Sequence, residues 1–243
     1  MARPRASRAW DLSRCRCSAA RIDEREPASE KRGSDRVFRF ESGSRAGLQR
    51  NGFNFIRLRT FVNPSASGGY SAQGFCDAAH TIAMAKRVKA CKMGVFLDFH
   101  MSDTWASIGV QTVPSAWASM TPAQMQSAAH DYVKGVLQQM VDAGVKPDMV
   151  QVGNEINSRM SGVSMSNWAN FSGLVNAGIK AVRETDPNIF VWAQHGRPRP
   201  DGDFTPWVDQ FLGGSPTIDA DGICGSTYGT TTTALIGRIS SAT

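Results

Sequence analysis

The 243-residue sequence lacks an apolar run long enough to cross a bilayer, which takes about 18 residues or more. Residues 1–40 also lack the shorter apolar stretch of a secretory leader, so no signal peptide is visible. No G-x-G-x-x-G follows a strand-like run, and no G-x-x-x-x-G-K-[ST] loop occurs. These absences argue against a membrane protein and against a nucleotide-binding enzyme.

Cysteine and histidine are scarce, with five and four residues respectively. Two cysteines have C-x-C spacing, which is too close for an ordinary disulfide and lacks the second pair of a zinc site. Two others fall about 22 Å apart along a predicted helix and cannot form a bridge. We expect thiols without disulfides, no metal site and no cofactor. The cysteines are Cys15, Cys17, Cys76, Cys91 and Cys224.

Positive charge is concentrated near the N-terminus. Residues 1–50 hold thirteen of the 27 Lys and Arg but seven of the 21 Asp and Glu, so the net charge of +6 lies there. For residues 1–41 we expect a basic, disordered segment. A basic arm for RNA or an acidic surface, or a mispredicted gene start, are the alternatives. Residues 42–243 form one predicted domain, and the balanced charge of residues 51–243 argues against a nucleic-acid ligand for it.

From about residue 42, short apolar runs alternate with helical stretches, an order that predicts an α/β fold with a parallel sheet. The long spacing between strands favours a (β/α)8 barrel of the TIM type over an open doubly wound sheet. Thr121 and Gly144 are the expected caps of one helix, and Ser164 or Ser166 begins the next. The predicted strands cover 53–59, 95–100, 149–153, 189–193 and 222–226, and the predicted helices cover 72–90, 121–144, 165–184, 205–212 and 232–240.

Polar residues gather near the carboxyl ends of these strands, where barrel enzymes carry their chemistry. Arg57 and Arg59 share one face of the first strand, because side chains alternate along it. Two arginines inside a barrel are costly unless carboxylates pair with them, and Asp98 shares a face with His100 in the second strand. So many polar groups inside one sheet predict a functional site. The other strands add Gln151, Gly153, Glu155, Ser226 and Tyr228.

The third strand runs straight into Gly153-Asn154-Glu155-Ile156-Asn157, the most informative stretch of the chain. A carboxylate there, beside an amide that can hold a hydroxyl, suits acid/base chemistry on a sugar. A glutamate after a strand is also common as a helix N-cap or as a surface residue. The polar neighbours favour the functional interpretation.

Several stretches resemble glycoside hydrolase family 53, the endo-β-1,4-galactanases that cut arabinogalactan side chains. The similarity runs from about residue 45 to about residue 238. It implies a (β/α)8 barrel and a retaining mechanism with two glutamates. The matching stretches are FIRLRTFVNPS (55–65), AMAKRVKACKMGVFLDFHMSDTWA (83–106), PDMVQVGNEIN (147–157) and NAGIKAVRETDPNI (176–189).

The resemblance also implies roles for individual residues. It makes Glu155 the acid/base and Asn154 the contact to the sugar 2-hydroxyl. Trp105 would offer a flat face to a pyranose ring, although a packed core tryptophan is the alternative. The family's histidine in the fifth strand aligns with Gln194, so it is not assigned. The implied substrate-binding residues are Asn154, Arg57, Arg59, Asp98, His100, Asp103, Trp105 and Tyr228.

The second glutamate of the family, the nucleophile at the end of strand seven, is not found. After Glu155 the sequence contains only Glu184, inside a predicted helix. The five predicted strands correspond to strands 2 to 6 of the family, and residues 1–40 supply no first strand. We therefore expect an incomplete barrel with two open edges, marginal stability, a tendency to aggregate, and low or no activity.

The leading expectation is endo-hydrolysis of β-1,4-galactosidic linkages by an arabinogalactan endo-β-1,4-galactanase. The expected partner is the polysaccharide, with no membrane, no nucleic acid and a monomeric chain. An extracellular location follows from the resemblance alone. The alternatives are another clan A β-glycanase, such as a mannanase or cellulase, and a non-catalytic carbohydrate-binding remnant.

Overall fold

The computed structural model describes residues 53–197 and 202–226, together with the backbone pairing of Cys17–Ser18 and Gly237–Arg238. In chain order the elements are β1 (Cys17–Ser18), β2 (Phe55–Thr60), α1 (Ala78–Ala90), β3 (Gly94–Phe99), a 3₁₀ helix (Ser115–Trp117), α2 (Pro122–Asp142), β4 (Met149–Val152), β5 (Arg159–Met160), β6 (Val163–Ser164), α3 (Trp168–Thr185), β7 (Phe190–Gly196), α4 (Phe204–Gly213), β8 (Gly222–Ser226) and β9 (Gly237–Arg238).

One sheet contains seven strands in the order β1-β2-β3-β4-β7-β8-β9. From β2 to β8 all neighbours in this order are parallel, and one of the helices α1 to α4 lies between each pair in the chain. The predicted α/β fold with five successive barrel strands is therefore confirmed. A separate hairpin of β5 and β6 lies in the connection after β4.

Two predictions about the edges of this sheet are wrong. The sequence predicts no strand in residues 1–40, but Cys17–Ser18 pair parallel to Phe55–Ile56. It predicts a helix over 232–240, but Gly237–Arg238 pair antiparallel to Gly222–Ile223. Strands of two residues are too short to carry a hydrophobic period. The rest of residues 1–41 and of the predicted last helix lies outside the described residues.

The main core fills the space between the outer face of the sheet and the helices. Ile56 and Leu58 point into it from β2, opposite to the two arginines, as the alternation predicts. Full burial of each such aliphatic side chain contributes roughly 1.5–3 kcal/mol. None of the helices in the described part of the chain combines the length and apolar character of a membrane crossing. The strand residues fully buried here include Ile56, Val95, Leu97, Phe99, Val150, Val152 and Val191.

Both ends of α2 follow the prediction. The Thr121 side chain accepts the N–H of Gln124, and the Gln124 side chain accepts the N–H of Thr121, which makes a capping box. Pro122 occupies the first helical position. Just beyond the end of the helix, Gly144 has a φ of 72°, the left-handed conformation that glycine adopts without steric cost.

The helices α1 and α3 begin later than predicted. Cys76 has a φ of 66° and cannot belong to α1, which is capped instead by Asp77 accepting the N–H of His80. Ser164 lies in β6, and Asn167 caps α3 by accepting the N–H of Asn170. The turn at Cys76 and the hairpin of β5 and β6 occupy residues that the sequence pattern assigns to the helices.

A polar contact joins α2 to α3 on the outer surface. Hydrogen bonds of 2.9 Å to Asp131 and to Glu184 raise the pKa of His130, against the opposing effect of burial. Glu184 therefore lies in the helical layer, as the sequence predicts, and away from the carboxyl ends of the strands.

Candidate active site

The inner face of the sheet carries an apolar layer and, nearer the carboxyl ends of the strands, a polar layer. The apolar layer consists of the buried side chains of Phe55, Phe96, Met149 and Trp192. Two residues further along the same four strands, the polar layer consists of Arg57, Asp98, Gln151 and Gln194. The apolar layer forms the floor of a site that opens at the carboxyl ends.

Arg57 connects the polar layer across three strands. Its Nη2 lies 2.8 Å from Asp98 Oδ2. The same atom donates to Gln151 Oε1 at 2.9 Å and to Asn154 Oδ1 at 2.8 Å. The prediction that a carboxylate pairs with the inward-facing arginine is confirmed for Arg57.

Asp98 is a buried carboxylate whose charge the site stabilises. Burial opposes its ionisation, but the charge of Arg57 and the hydrogen bond from His100 outweigh burial and lower the pKa of Asp98. His100 Nε2 lies 3.0 Å from Asp98 Oδ2, and His100 Nδ1 accepts the N–H of Ala106 at 3.2 Å. Because Nδ1 accepts, the proton is on Nε2, which donates to Asp98. The tautomer and the ring orientation of His100 are thereby fixed.

Glu155 lies directly after β4 and is only 7% exposed. Its Oε2 accepts the N–H of Ile108 at 3.1 Å, and its own N–H donates to Gln194 Oε1 at 3.0 Å. The backbone of Glu155 has a φ of 49°, in the left-handed region that non-glycine residues adopt at a cost. The next described helix begins only at Trp168, so the alternatives of a helix N-cap and of a surface residue are both wrong.

Asn154 and Gln194 fix the surroundings of Glu155. Besides accepting from Arg57, Asn154 donates through Nδ2 to the backbone oxygen of Ala106 at 2.7 Å. Gln194, which aligns with the unassigned histidine of the family, accepts from both Glu155 N and Gln151 Nε2 at 3.0 Å. Its Nε2 donates to Ser226 Oγ at 2.7 Å. Gln194 thus links the backbone of Glu155 to β8.

Gly196 packs against the carboxyl group of Glu155, because a Cβ at position 196 would lie 2.8 Å from Glu155 Cδ. Asn157 holds this glycine, accepting its N–H at 2.7 Å and donating to its carbonyl oxygen at 2.9 Å. His195 is fully buried against two aromatic rings of α4. Burial lowers its pKa, against the opposing effect of Asp203. His195 therefore supports the fold behind the site.

Arg59 forms a second cluster beside the first. Its guanidinium lies 4.2 Å from the centroid of the Trp105 ring, and its Nη2 donates to Tyr70 Oη at 2.9 Å. Trp105 also makes an edge contact with His100, at 5.5 Å between ring centroids. Trp105 is 39% exposed, so the alternative of a packed core tryptophan is wrong.

Asp103 braces two loops. Its Oδ1 accepts the N–H of Asn63 at 3.0 Å. Its Oδ2 accepts both the N–H and the hydroxyl of Ser115, at 2.8 and 2.7 Å. These bonds connect the segment after β2 to the 3₁₀ helix.

Most of the predicted site residues come together, and the sequence misses several that contact them. The residues brought together are Arg57, Arg59, Asp98, His100, Asp103, Trp105, Asn154 and Glu155, whereas Tyr228 lies outside the described residues. Three of the missed residues are Tyr70, Ile108 and Gln111. They lie in loops, where no period marks a side chain that points inward.

No disulfide joins the cysteines in the described part of the chain, Cys76, Cys91 and Cys224. The described residues also contain no group of three or more His, Cys, Asp or Glu arranged to hold a metal ion. The site contains carboxyl groups, amides, two arginines, a histidine and aromatic rings. Such a set can exchange a proton and bind hydroxyl groups.

The chain matches the model of glycosyl hydrolase family 53 over residues 35–235. It is 37% identical over 160 residues to the endo-beta-1,4-galactanase of Bacillus subtilis (strain 168), covering 65% of this chain and 37% of that protein. It is 33% identical over 155 residues to the arabinogalactan endo-beta-1,4-galactanase of Thermothelomyces thermophilus, covering 61% of this chain and 44% of that protein.

Solved structures agree with the sequence comparison. The Ignisphaera aggregans GH53 catalytic domain superposes with a TM-score of 0.67 at 33% identity, covering 74% of this chain and 50% of that one. A fungal beta-1,4-galactanase superposes with the same TM-score at 29% identity, covering 75% of this chain and 54% of that one. The chain thus spans about half the length of these relatives or less. It belongs to glycosyl hydrolase family 53, and its fold is a partial (β/α) barrel.

Proposed function

We propose that this chain acts on β-1,4-galactan, as an endo-hydrolase of the galactosidic linkages in arabinogalactan with a retaining mechanism. The observation that carries the proposal is the buried carboxyl of Glu155, next to Asn154, at the carboxyl end of a barrel strand. The galactanase names of the relatives support the substrate class.

Glu155 has the role of acid/base. In the first step it donates a proton to the glycosidic oxygen while a second carboxylate, about 5–5.5 Å away, attacks the anomeric carbon. In the second step it takes a proton from water, which releases the sugar with retained configuration. Gly196 leaves room for the carboxyl and Ile108 orients it through the backbone N–H.

The polar layer binds the sugar that carries the bond to be cleaved. Asn154 contacts the 2-hydroxyl, and its side chain is held for this by Arg57 and by the carbonyl of Ala106. The exposed part of Trp105 takes the apolar face of a pyranose ring.

Four other predicted substrate-binding residues act on the sugar indirectly. Arg59, Asp98 and Asp103 form hydrogen bonds with protein groups, so they shape the site around the sugar. His100 is 1% exposed and both its ring nitrogens lie against protein groups, so it supports the Trp105 ring from the side. Tyr228 stays a proposal from the family resemblance alone.

A second candidate function is binding of galactan without turnover. One observation favours it: after Glu155 the only glutamate in the sequence is Glu184, which bonds to His130 in the helical layer. Glu184 is therefore not placed to act as the nucleophile beside Glu155. We propose an extracellular, monomeric chain without a cofactor in either case.

The first experiment compares galactan, mannan and carboxymethyl-cellulose. We expect the purified chain to bind to insoluble galactan and not to the other two, and Glu155→Gln to keep this binding because the amide has the same shape. Reducing ends released from galactan, lost in Glu155→Gln, support the hydrolase. Binding without release supports the second candidate, and preference for mannan or cellulose contradicts the galactan assignment.

A second experiment distinguishes a site that needs only an added nucleophile from a site that cannot catalyse cleavage at all. Sodium azide can replace an enzymic carboxylate by attacking the anomeric carbon of an aryl β-galactobioside while Glu155 protonates the departing phenol, which gives an α-galactobiosyl azide and the free phenol. We expect release of the phenol only when azide is present. Its absence at high azide concentration would favour the binding function.

A further inference from the structure

Gln111 is a buried amide that faces the backbone of the Asn-Glu pair. It is 6% exposed and lies in the loop before the 3₁₀ helix. Its Nε2 donates to the carbonyl oxygen of Asn154 at 2.8 Å and to that of Glu155 at 3.2 Å, with Ser107 O at 3.3 Å. Its Oε1 has no hydrogen-bond partner among the described residues. A flipped amide would place this oxygen against three carbonyl oxygens, so the orientation is determined.

The two carbonyl groups that Gln111 holds flank the Cα atom of Glu155. In an extended chain successive carbonyls point to opposite sides, so one donor cannot reach both. In a helical conformation of either hand they point to the same side. A single NH₂ group that binds both therefore excludes an extended backbone at Glu155 and is compatible with the observed φ of 49°, a conformation that a glutamate adopts only when its surroundings impose it.

The same loop also orients the side chains of the pair. The backbone N–H of Ile108 donates to Glu155 Oε2, and the carbonyl of Ala106 accepts from Asn154 Nδ2. The 106–111 loop therefore fixes the backbone through Gln111 and the two functional side chains through its own main chain.

We propose that Gln111 is a positioning residue for the acid/base, acting through the backbone of Asn154 and Glu155. This inference rests on the proposed function of Glu155. A carboxyl that protonates a leaving oxygen must be placed within a fraction of an ångström. Loss of the Gln111 amide releases the 154–155 backbone toward commoner conformations and moves the carboxyl, whereas the floor and the polar layer stay in place.

The test compares Gln111→Met with Gln139→Met. Both replace an amide donor to a backbone carbonyl by an apolar chain of similar length, and the Gln139 bond, 3.2 Å to Gly135 O, lies on the exposed surface of α2. In Gln111→Met we expect amide hydrogen exchange at Glu155 and Ile108 to accelerate about tenfold or more. Exchange in the β3–β4 ladder should stay as in the control.

The functional measurement is azide-dependent cleavage of an aryl β-galactobioside. We expect kcat to fall about tenfold or more in Gln111→Met, with KM changed by no more than about twofold, because the sugar contacts remain. Gln139→Met should resemble the wild type. If Gln111→Met does not fold, Gln111→Asn is the second variant, because it keeps the amide donor on a side chain that is one methylene shorter. Its kcat should fall less than that of Gln111→Met, again with little change in KM.

Unchanged exchange at Glu155 and Ile108 would overturn the proposal. So would a uniform acceleration of exchange across the sheet, since that would indicate a general loss of stability. If the wild type neither binds galactan nor gives an azide product, the proposed function fails. The exchange data would still decide whether Gln111 holds the 154–155 backbone.

Discussion

The pair of Arg57 and Asp98 offers a quantitative test of the polar layer. Asp98 is 1% exposed, and among the described residues Arg57→Met would leave its charge with hydrogen bonds only from His100 and from Gln151 Nε2, at 2.9 Å. Removing one partner of a buried ion pair costs about 3–5 kcal/mol. Asp98→Asn should cost less, about 1–3 kcal/mol, because Arg57 keeps its amide acceptors and is 22% exposed to water.

The double variant Arg57→Met/Asp98→Asn buries no uncompensated charge. Its loss of stability should therefore be smaller than the sum of the two single losses by about 2 kcal/mol or more. Urea unfolding at pH 7 measures these free energies, with the slope of each curve checked for constancy. The control is Lys180→Met, which breaks a 3.8 Å pair with 71% of the lysine side chain exposed and should cost less than about 1 kcal/mol.

Additive losses in this cycle, with a coupling below about 0.5 kcal/mol, would refute the reasoning that the Arg57 charge stabilises ionised Asp98. The same unfolding curves test the predicted marginal stability of the chain. A large unfolding free energy of a soluble monomer would contradict that expectation.

Three other predictions concern Glu155 and the helices. Gly196→Ala places a Cβ 2.8 Å from Glu155 Cδ, so azide-dependent cleavage should fall about a hundredfold, whereas Gly135→Ala, with open space around its Cβ, should leave cleavage unchanged. The raised pKa of His130 makes its contribution to stability complete below about pH 6.5 and lost as the pH rises through the folded-state pKa. Unfolding curves of His130→Gln should therefore differ from the wild type at pH 6 and converge on it at high pH; a constant difference would contradict this. Thr121→Ala removes the capping box and should lower the free energy of urea unfolding by about 0.5–2 kcal/mol. An unchanged free energy of unfolding would mean that water caps α2 equally well.

The sequence predicts the parts of the fold whose hydrophobic period is long. The alternation in β2 assigns Arg57 to the inner face and Ile56 to the core, and the caps of α2 appear as Thr121 and Gly144. The predictions are wrong where a turn or a very short strand sets the boundary of an element. The left-handed Cys76 delays the start of α1, and the two-residue strand at Cys17–Ser18 leaves no pattern to detect.

The candidate site follows the same division. Residues on strands or directly after them, such as Asp98 and Glu155, are predicted because the carboxyl ends of parallel strands converge. Tyr70 and Gln111 are missed because they reach the site from loops. Only the folded chain brings the amide of Gln111 to the backbone of a residue 44 positions away.

The role of Glu155 as proton donor is tested most directly by two substrates that differ in their need for an acid. A nitrophenyl β-galactobioside releases a leaving group that benefits from protonation, whereas a dinitrophenyl β-galactobioside releases one that does not. In the presence of azide, Glu155→Gln should slow cleavage of the first substrate by a factor of about 10²–10⁴ and that of the second only slightly. Equal loss with both substrates, or no loss with either, would contradict the assignment.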